Sequence, residues 1–258
     1  MALQSINIGS AANDGTGSTL RAAFDICNDN FSELYGGTTA ALGFKAEGTN
    51  FTGSLLVGHS TTGTIDNAYY NTALGIGALD ALTTADYNVA IGYNTGTAIT
   101  TGSSNILIGS NAGDALVGGA SNIAIGSQAL STEDGNGRNI AIGHSALENQ
   151  NAGADAYNIA IGYTAGISIS TGTHNVLLGG LAGDALTTGS ANIAIGYEAL
   201  STEDGHSQNV AIGYQALKML DAGTAGLNVA VGHQAGTAMT TGQQNTLVGG
   251  LAGDALTS

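Results

Sequence analysis

One five-residue phrase recurs along this chain at almost constant spacing, and so short a repeat leaves few folds open to it. The phrase reads NTALG at Asn71, NVAIG at Asn88, NILIG at Asn105 and NIAIG at Asn122 and Asn139. It returns as NIAIG at Asn158, NVLLG at Asn175, NIAIG at Asn192, NVAIG at Asn209, NVAVG at Asn228 and NTLVG at Asn245. Successive asparagines are 17 residues apart, except for two steps of 19 after Asn139 and Asn209. A degenerate copy, SLLVG, starts at Ser54, again 17 residues before Asn71. A unit this small cannot bury its own apolar face, so the copies must stack on one another as a solenoid.

Composition fits stacking and narrows the partners. The chain has 42 Gly and no Pro, as expected where corners are tight and every rung must hydrogen-bond to the next. Four Lys and Arg oppose 19 Asp and Glu, for a formal net charge of -15. Such a surface repels nucleic-acid phosphates and anionic headgroups, so neither nucleic-acid binding nor membrane insertion is expected. Cys27 is the only cysteine and forms no intrachain disulfide, consistent with assembly in a reducing cytoplasm. The opening MALQSINIGS lacks the basic start and apolar centre of a signal peptide. No apolar run reaches the roughly 18–20 residues of a membrane helix.

The unit at Asn122, NIAIGSQALSTEDGNGR, illustrates one rung. Ile123 and Ile125 alternate with Asn122, Ala124 and Gly126, the period of a short strand. The spacing predicts both isoleucines on one face, forming the core with Leu130, and the small and amide residues on the other. Ala129-Leu130 is expected as a second short strand, with Ser131 to Arg138 as a polar return. Twelve such rungs would make a rod about 55–60 Å long.

Stacked in register, Asn71, Asn88, Asn105, Asn122, Asn139, Asn158, Asn175, Asn192, Asn209, Asn228 and Asn245 would form an amide ladder. A ligand site would call for one or two special asparagines, so the ladder is the expected role. The residue after each glycine makes a second column, with Tyr93, His144, Tyr163, Tyr197, Tyr214 and His233 among smaller residues, expected at corners or on the surface. A longer period overlies the short one. AGDAL recurs at Ala112, Ala182 and Ala252, and STEDG at Ser131 and Ser201, each 70 residues apart. Four rungs therefore form one super-repeat, residues 88–157 and 158–227 being full copies.

The acidic motifs suggest no specific chemistry. Glu133-Asp134 and Glu203-Asp204 are adjacent on a turn expected to be exposed, unlike glycosidase carboxylates that flank a cleft. The nonapeptide of calcium solenoids, with its regular Asp, is missing. Weak cation binding is the most that Asp114, Asp184 and Asp254 suggest. No catalytic, cofactor-binding or metal-ligating residue is nominated, no cofactor is implied, and no enzyme is expected.

Residues 1–35 differ from the rest. Leu20, Phe24, Cys27, Phe31 and Leu34 recur at steps of 4, 3, 4 and 3, the seam of a short helix. Asp14, Thr16 and Ser18 offer N-caps before it. A seam this short requires partner helices or a docking surface. Residues 36–53, rich in Gly and Thr, read as a neck, and residues 54–258 as the repetitive roll.

Two resemblances follow from these residues. Ile6-Asn-Ile-Gly9, Asn13-Asp-Gly-Thr-Gly17, Leu20-Arg-Ala-Ala-Phe24 and Asn30-Phe-Ser-Glu-Leu-Tyr35 resemble the N-terminal segment of tailed-bacteriophage fibre and virion structural proteins. That family usually reads AFxKINxNFxELY, and Asp25-Ile26-Cys27-Asn28 here lacks its basic residue. The resemblance implies that Leu20, Arg21, Phe24, Cys27, Asn30, Phe31, Leu34 and Tyr35 form the virion-attachment or trimer seam. The repeats over 54–258 resemble the left-handed parallel β-roll of trimeric autotransporter heads and related phage-fibre repeats. Those relatives imply a homotrimer of three rolls about a common axis.

The expected whole is an all-β parallel β-roll of about twelve rungs with a short N-terminal helical anchor. It is expected to act as a trimeric tail or capsid fibre in the virion. Its expected partners are itself, another virion protein at the N-terminus and a distal fibre or cap protein over the last rung. Host-surface glycans or proteins are further candidates. An ice-binding solenoid, suggested by Thr100-Thr101, Thr187-Thr188 and Thr240-Thr241, and a polysaccharide-degrading tailspike are the competing readings.

Overall fold

The computed structural model describes residues 44–48, 51–57, 67–221 and 226–258. The expected helix and all eight anchor residues from Leu20 to Tyr35 lie outside them. Among the described residues the chain is all-β, a parallel β-solenoid of about eleven turns. β1 (Phe44–Gly48) and β2 (Phe51–Val57) form an antiparallel pair. β2 then pairs in parallel with β3 (Thr72–Leu74), which opens a regular series. The series runs through β4 (Val89–Ile91), β5 (Ile106–Ile108), β6 (Ile123–Ile125), β7 (Ile140–Ile142) and β8 (Ile159–Ile161). It continues as β9 (Val176–Leu178), β10 (Ile193–Ile195), β11 (Val210–Ile212), β12 (Val229–Val231) and β13 (Thr246–Val248). All thirteen strands lie in one sheet in sequence order. β1 and the start of β2 fall within the stretch 36–53 read as a neck.

Each rung of the series contributes one three-residue strand, not two. Ala129-Leu130 and its counterparts lie in turns, where Leu130 has a φ of 54°. The strand faces are also reversed from the expectation. The central residue is the buried one: Ala124 and Leu177 are fully buried, whereas Ile123, Ile125, Val176 and Leu178 on either side face outward. The asparagine before the strand points inward with the central residue. The reason is volume. A 17-residue coil encloses too little space for two isoleucines, and small central residues leave room for the leucines entering from the turns.

Three positions face the interior of each rung: the strand centre, the residue six further on and the residue three beyond that. In the rung of Asn71 these are Ala73, Leu79 and Leu82, all fully buried. In other rungs the middle position is glycine, and the volume moves. Leu107 at one strand centre approaches both Gly96 and Gly113, and Leu177 does the same between Gly166 and Gly183. One leucine thus serves two rungs. Leucine and glycine share the left-handed conformation at this middle position, from Leu79 (φ 53°) to Gly253 (φ 64°). For leucine that conformation costs about 1–2 kcal/mol, offset by burial of its side chain.

The glycine closing each strand has a different constraint. Gly162 has a φ of 146°, and a Cβ there would collide with the carbonyl of Gly179 in the next rung. Backbone stacking at that corner admits only glycine.

Candidate functional site

The asparagines line the interior edge of the sheet. The backbone N–H of Asn88 donates to Asn71 Oδ1 at 3.0 Å, while Asn88 Nδ2 donates to that oxygen at 3.1 Å and to the Gly102 carbonyl at 2.9 Å. Asn105 repeats all three bonds on Asn88 Oδ1 and Gly119. Ser54 starts the column, its Oγ accepting from Asn71 N at 2.8 Å. The 19-residue rungs disturb it. Asn139 keeps its backbone bond to Asn122, but its Nδ2 is buried without a partner. Two extra residues in the return displace the carbonyl that other rungs present.

Outside the same strands lies the main candidate interaction surface. Two columns face outward. One runs Val89, Ile106, Ile123, Ile140, Ile159, Val176, and the other Ile91, Ile108, Ile125, Ile142, Ile161, Leu178, each residue paired in register with the next rung. The columns continue in both directions to Thr72 and Leu74 and to Thr246 and Val248. Over eleven rungs the strip is about 50 Å long. Leu74 is 51% and Ile161 39% exposed. So long a contiguous apolar strip is a mark of an interaction site.

Aromatic columns flank the strip. On one side Tyr70 stacks on Tyr87 at 5.1 Å, and Tyr157 on His174 at 5.4 Å, with Arg138 over the Tyr157 ring. On the other, His144 stacks on Tyr163 at 5.5 Å, and Tyr197, Tyr214 and His233 form a three-ring pile. These rings are mostly exposed; the second column is the one expected from the residues after each glycine, whereas the first, one residue before each asparagine, was not anticipated.

The STEDG glutamates are not on the surface. Glu133 and Glu203 are 0% exposed and occupy the third core position, where Leu82, Ile99, Leu116, Ile169, Leu186 and Leu220 sit in other rungs. Only Asp134 and Asp204 face solvent. Counting positions from each asparagine, rather than reading STEDG as a motif, would have placed the glutamates inside. Glu133 Oε1 accepts from the backbone N–H and Nδ2 of Asn136, both at 3.0 Å, and its Oε2 has no partner.

Desolvation raises the Glu133 pKa despite those two donors. A carboxyl with a raised folded pKa holds its proton more tightly in the fold. Its stabilising contribution is therefore full below the ordinary carboxylate range and is lost as pH rises through the folded value. Replacing Glu133 by Gln should remove that component. In urea denaturation, wild type should lose stability relative to E133Q as pH rises above the ordinary carboxylate range. Parallel pH profiles for the two proteins would contradict the assignment.

Glu203 has a richer setting. Its Oε1 accepts from the His206 backbone N–H at 3.0 Å and contacts His206 Nδ1, while its Oε2 is buried without a partner. Asp221, from the following rung, places Oδ1 3.6 Å from His206 Nδ1. Among the described residues, Glu203, Asp204, His206 and Asp221 form the one group able to converge on a metal ion, with ligand atoms within 4.8 Å of one another. Sequence reading missed it because Asp221 joins only through stacking. Asp114 and Asp184 stand four rungs apart, about 19 Å, and each keeps one buried oxygen without a partner. Burial raises the Asp184 pKa. No protein-family model, curated protein or solved structure matches this chain.

Proposed function

We propose that this chain is a structural fibre protein, a homotrimeric shaft of a phage virion whose rolls pack through the outer faces of their sheets. The observation that carries the reading is the two-column apolar strip from Leu74 to Val248, flanked by stacked rings. Water against such a strip is costly at about 25 cal/mol per Å² of apolar surface, and side-by-side association removes it. Three copies about one axis satisfy all three strips in a closed assembly. Attachment through residues 1–35 and the virion location rest on the resemblance carried by Leu20-Arg-Ala-Ala-Phe24 and Asn30-Phe-Ser-Glu-Leu-Tyr35. A rod of this kind supplies reach, and repeated weak contacts on three identical chains would let avidity replace single-site affinity at a host surface.

The ice-binding alternative is less well supported. The threonine pairs at Thr100-Thr101, Thr187-Thr188 and Thr240-Thr241 are separated by rungs carrying Val117-Gly118 and Asp134-Gly135 at the same positions. A flat lattice needs them on every rung.

Light scattering coupled to size exclusion tests the proposal. The purified chain should run near three times 25.3 kDa. Replacing Ile125 and Ile161 together by Lys should return it to monomer with its β circular dichroism intact, since both side chains point away from the core. A wild-type monomer would sink the trimer, as would a trimer unaffected by both lysines.

A further inference from the structure

We propose that the turn 203–206 and Asp221 form a binding site for one divalent transition-metal ion of the zinc type. The ligands would be Glu203, His206 Nδ1 and Asp221, with Asp204 at the rim. This inference is independent of the trimer.

Four observations converge on it. Glu203 occupies an apolar core position, fully buried, with Oε1 against His206 Nδ1 and Oε2 unpartnered. A buried carboxylate is costly unless it is protonated or paired with positive charge; His206 Nδ1 already touches Glu203 Oε1, and a bound ion would supply that charge in its place. The ligand atoms already lie within 4.8 Å of one another, and His206 Nδ1 to Asp221 Oδ1 is 3.6 Å. Tetrahedral bonds of about 2.1 Å would set ligand atoms about 3.4 Å apart, so small side-chain adjustments close the shell. One imidazole nitrogen with carboxylate oxygens favours a zinc-type ion over calcium or magnesium, which take oxygen alone.

The backbone holds the turn ready. The His206 carbonyl accepts from Asn192 Nδ2 at 2.8 Å, tying the turn to the asparagine ladder. The Asp221 N–H donates to the Thr240 carbonyl at 2.7 Å, tying the other ligand to the next rung. An ion held here would cross-link two successive rungs.

The chain carries its own control. Seventy residues earlier, the first super-repeat has the same buried glutamate, Glu133, but Asn136 and Asn151 where the second has His206 and Asp221. Asn136 satisfies Glu133 Oε1 with two neutral donors and leaves no ligand nitrogen. Among the positions at which the two copies differ, these two supply both missing ligands.

The test titrates Zn²⁺ into the chelator-stripped full-length chain by isothermal calorimetry. Wild type should bind one ion per chain. H206N and D221N, which give the second turn the residues of the first, should each weaken binding at least tenfold. Their metal-free melting temperatures should stay at the wild-type value, because the first copy folds with those residues. Zn²⁺ should raise the melting temperature of wild type alone. Absence of stoichiometric binding would overturn the site. So would wild-type affinity in both variants, which would place the ion on exposed histidines such as His144 or His233.

Discussion

Replacing Asn175 by Asp should cost about 3–5 kcal/mol in urea denaturation at pH 7, although the two side chains have nearly the same shape. Asn175 Oδ1 accepts from the Asn192 backbone N–H at 2.9 Å. Its Nδ2 donates to the Gly189 carbonyl at 2.9 Å and to Asn158 Oδ1 at 3.2 Å. Aspartate keeps the first bond and turns the other two into oxygen facing oxygen. Each buried polar group left unsatisfied costs about 1–3 kcal/mol, more where a charge is involved. The loss should shrink on acidification, when the carboxyl regains a donor. Asn245, only half-buried at the end of the column, provides the contrast. N245D should cost under about 1 kcal/mol. Equal losses at the two sites would show that the column is not held together by its amides.

Truncating Leu177 to Ala should be the most damaging large-to-small change in the core, at about 4–5 kcal/mol, the upper end of the usual range. Its Cδ atoms fill the space above Gly166 and Gly183, and neither glycine can offer a side chain to the void. Compensation is available within the chain. Rungs such as Ala194 with Leu200, and Ala211 with Leu217, carry the opposite arrangement. Adding Gly183→Leu to L177A should therefore recover most of the loss, although G183L alone places a Cβ 2.8 Å from both Leu177 and Leu186. The double-mutant cycle should show a coupling of at least about 2 kcal/mol. Additive losses would mean that the two positions do not share one volume.

These cases mark what the sequence could and could not disclose. The stacked architecture was legible because a 17-residue period with one apolar alternation has few other outlets. The face that turns inward was not, since alternation in NIAIG is symmetric and only the interior volume selects Ala124 over Ile123 and Ile125. The same blindness hid the outer strip, whose isoleucines looked like core. Glu133 and Glu203 were misplaced because charged residues beside Asp and Gly read as a surface turn. The column they share with Leu116 and Leu186 decides otherwise. The grouping of Glu203 and His206 with Asp221 depends on register between successive coils, which no local motif encodes.

The leucine that serves two glycine rungs also sets a rule of growth. A rung cut out singly would leave Leu177 facing a leucine where it needs glycine, or a glycine pair with nothing above it. Cuts that respect the order of glycine, glycine, leucine and leucine rungs fall every 70 residues. The heritable unit of length is therefore the four-rung block of about 19 Å, not the rung. A rod built this way can change its reach only in discrete steps, like a ladder sold by the section.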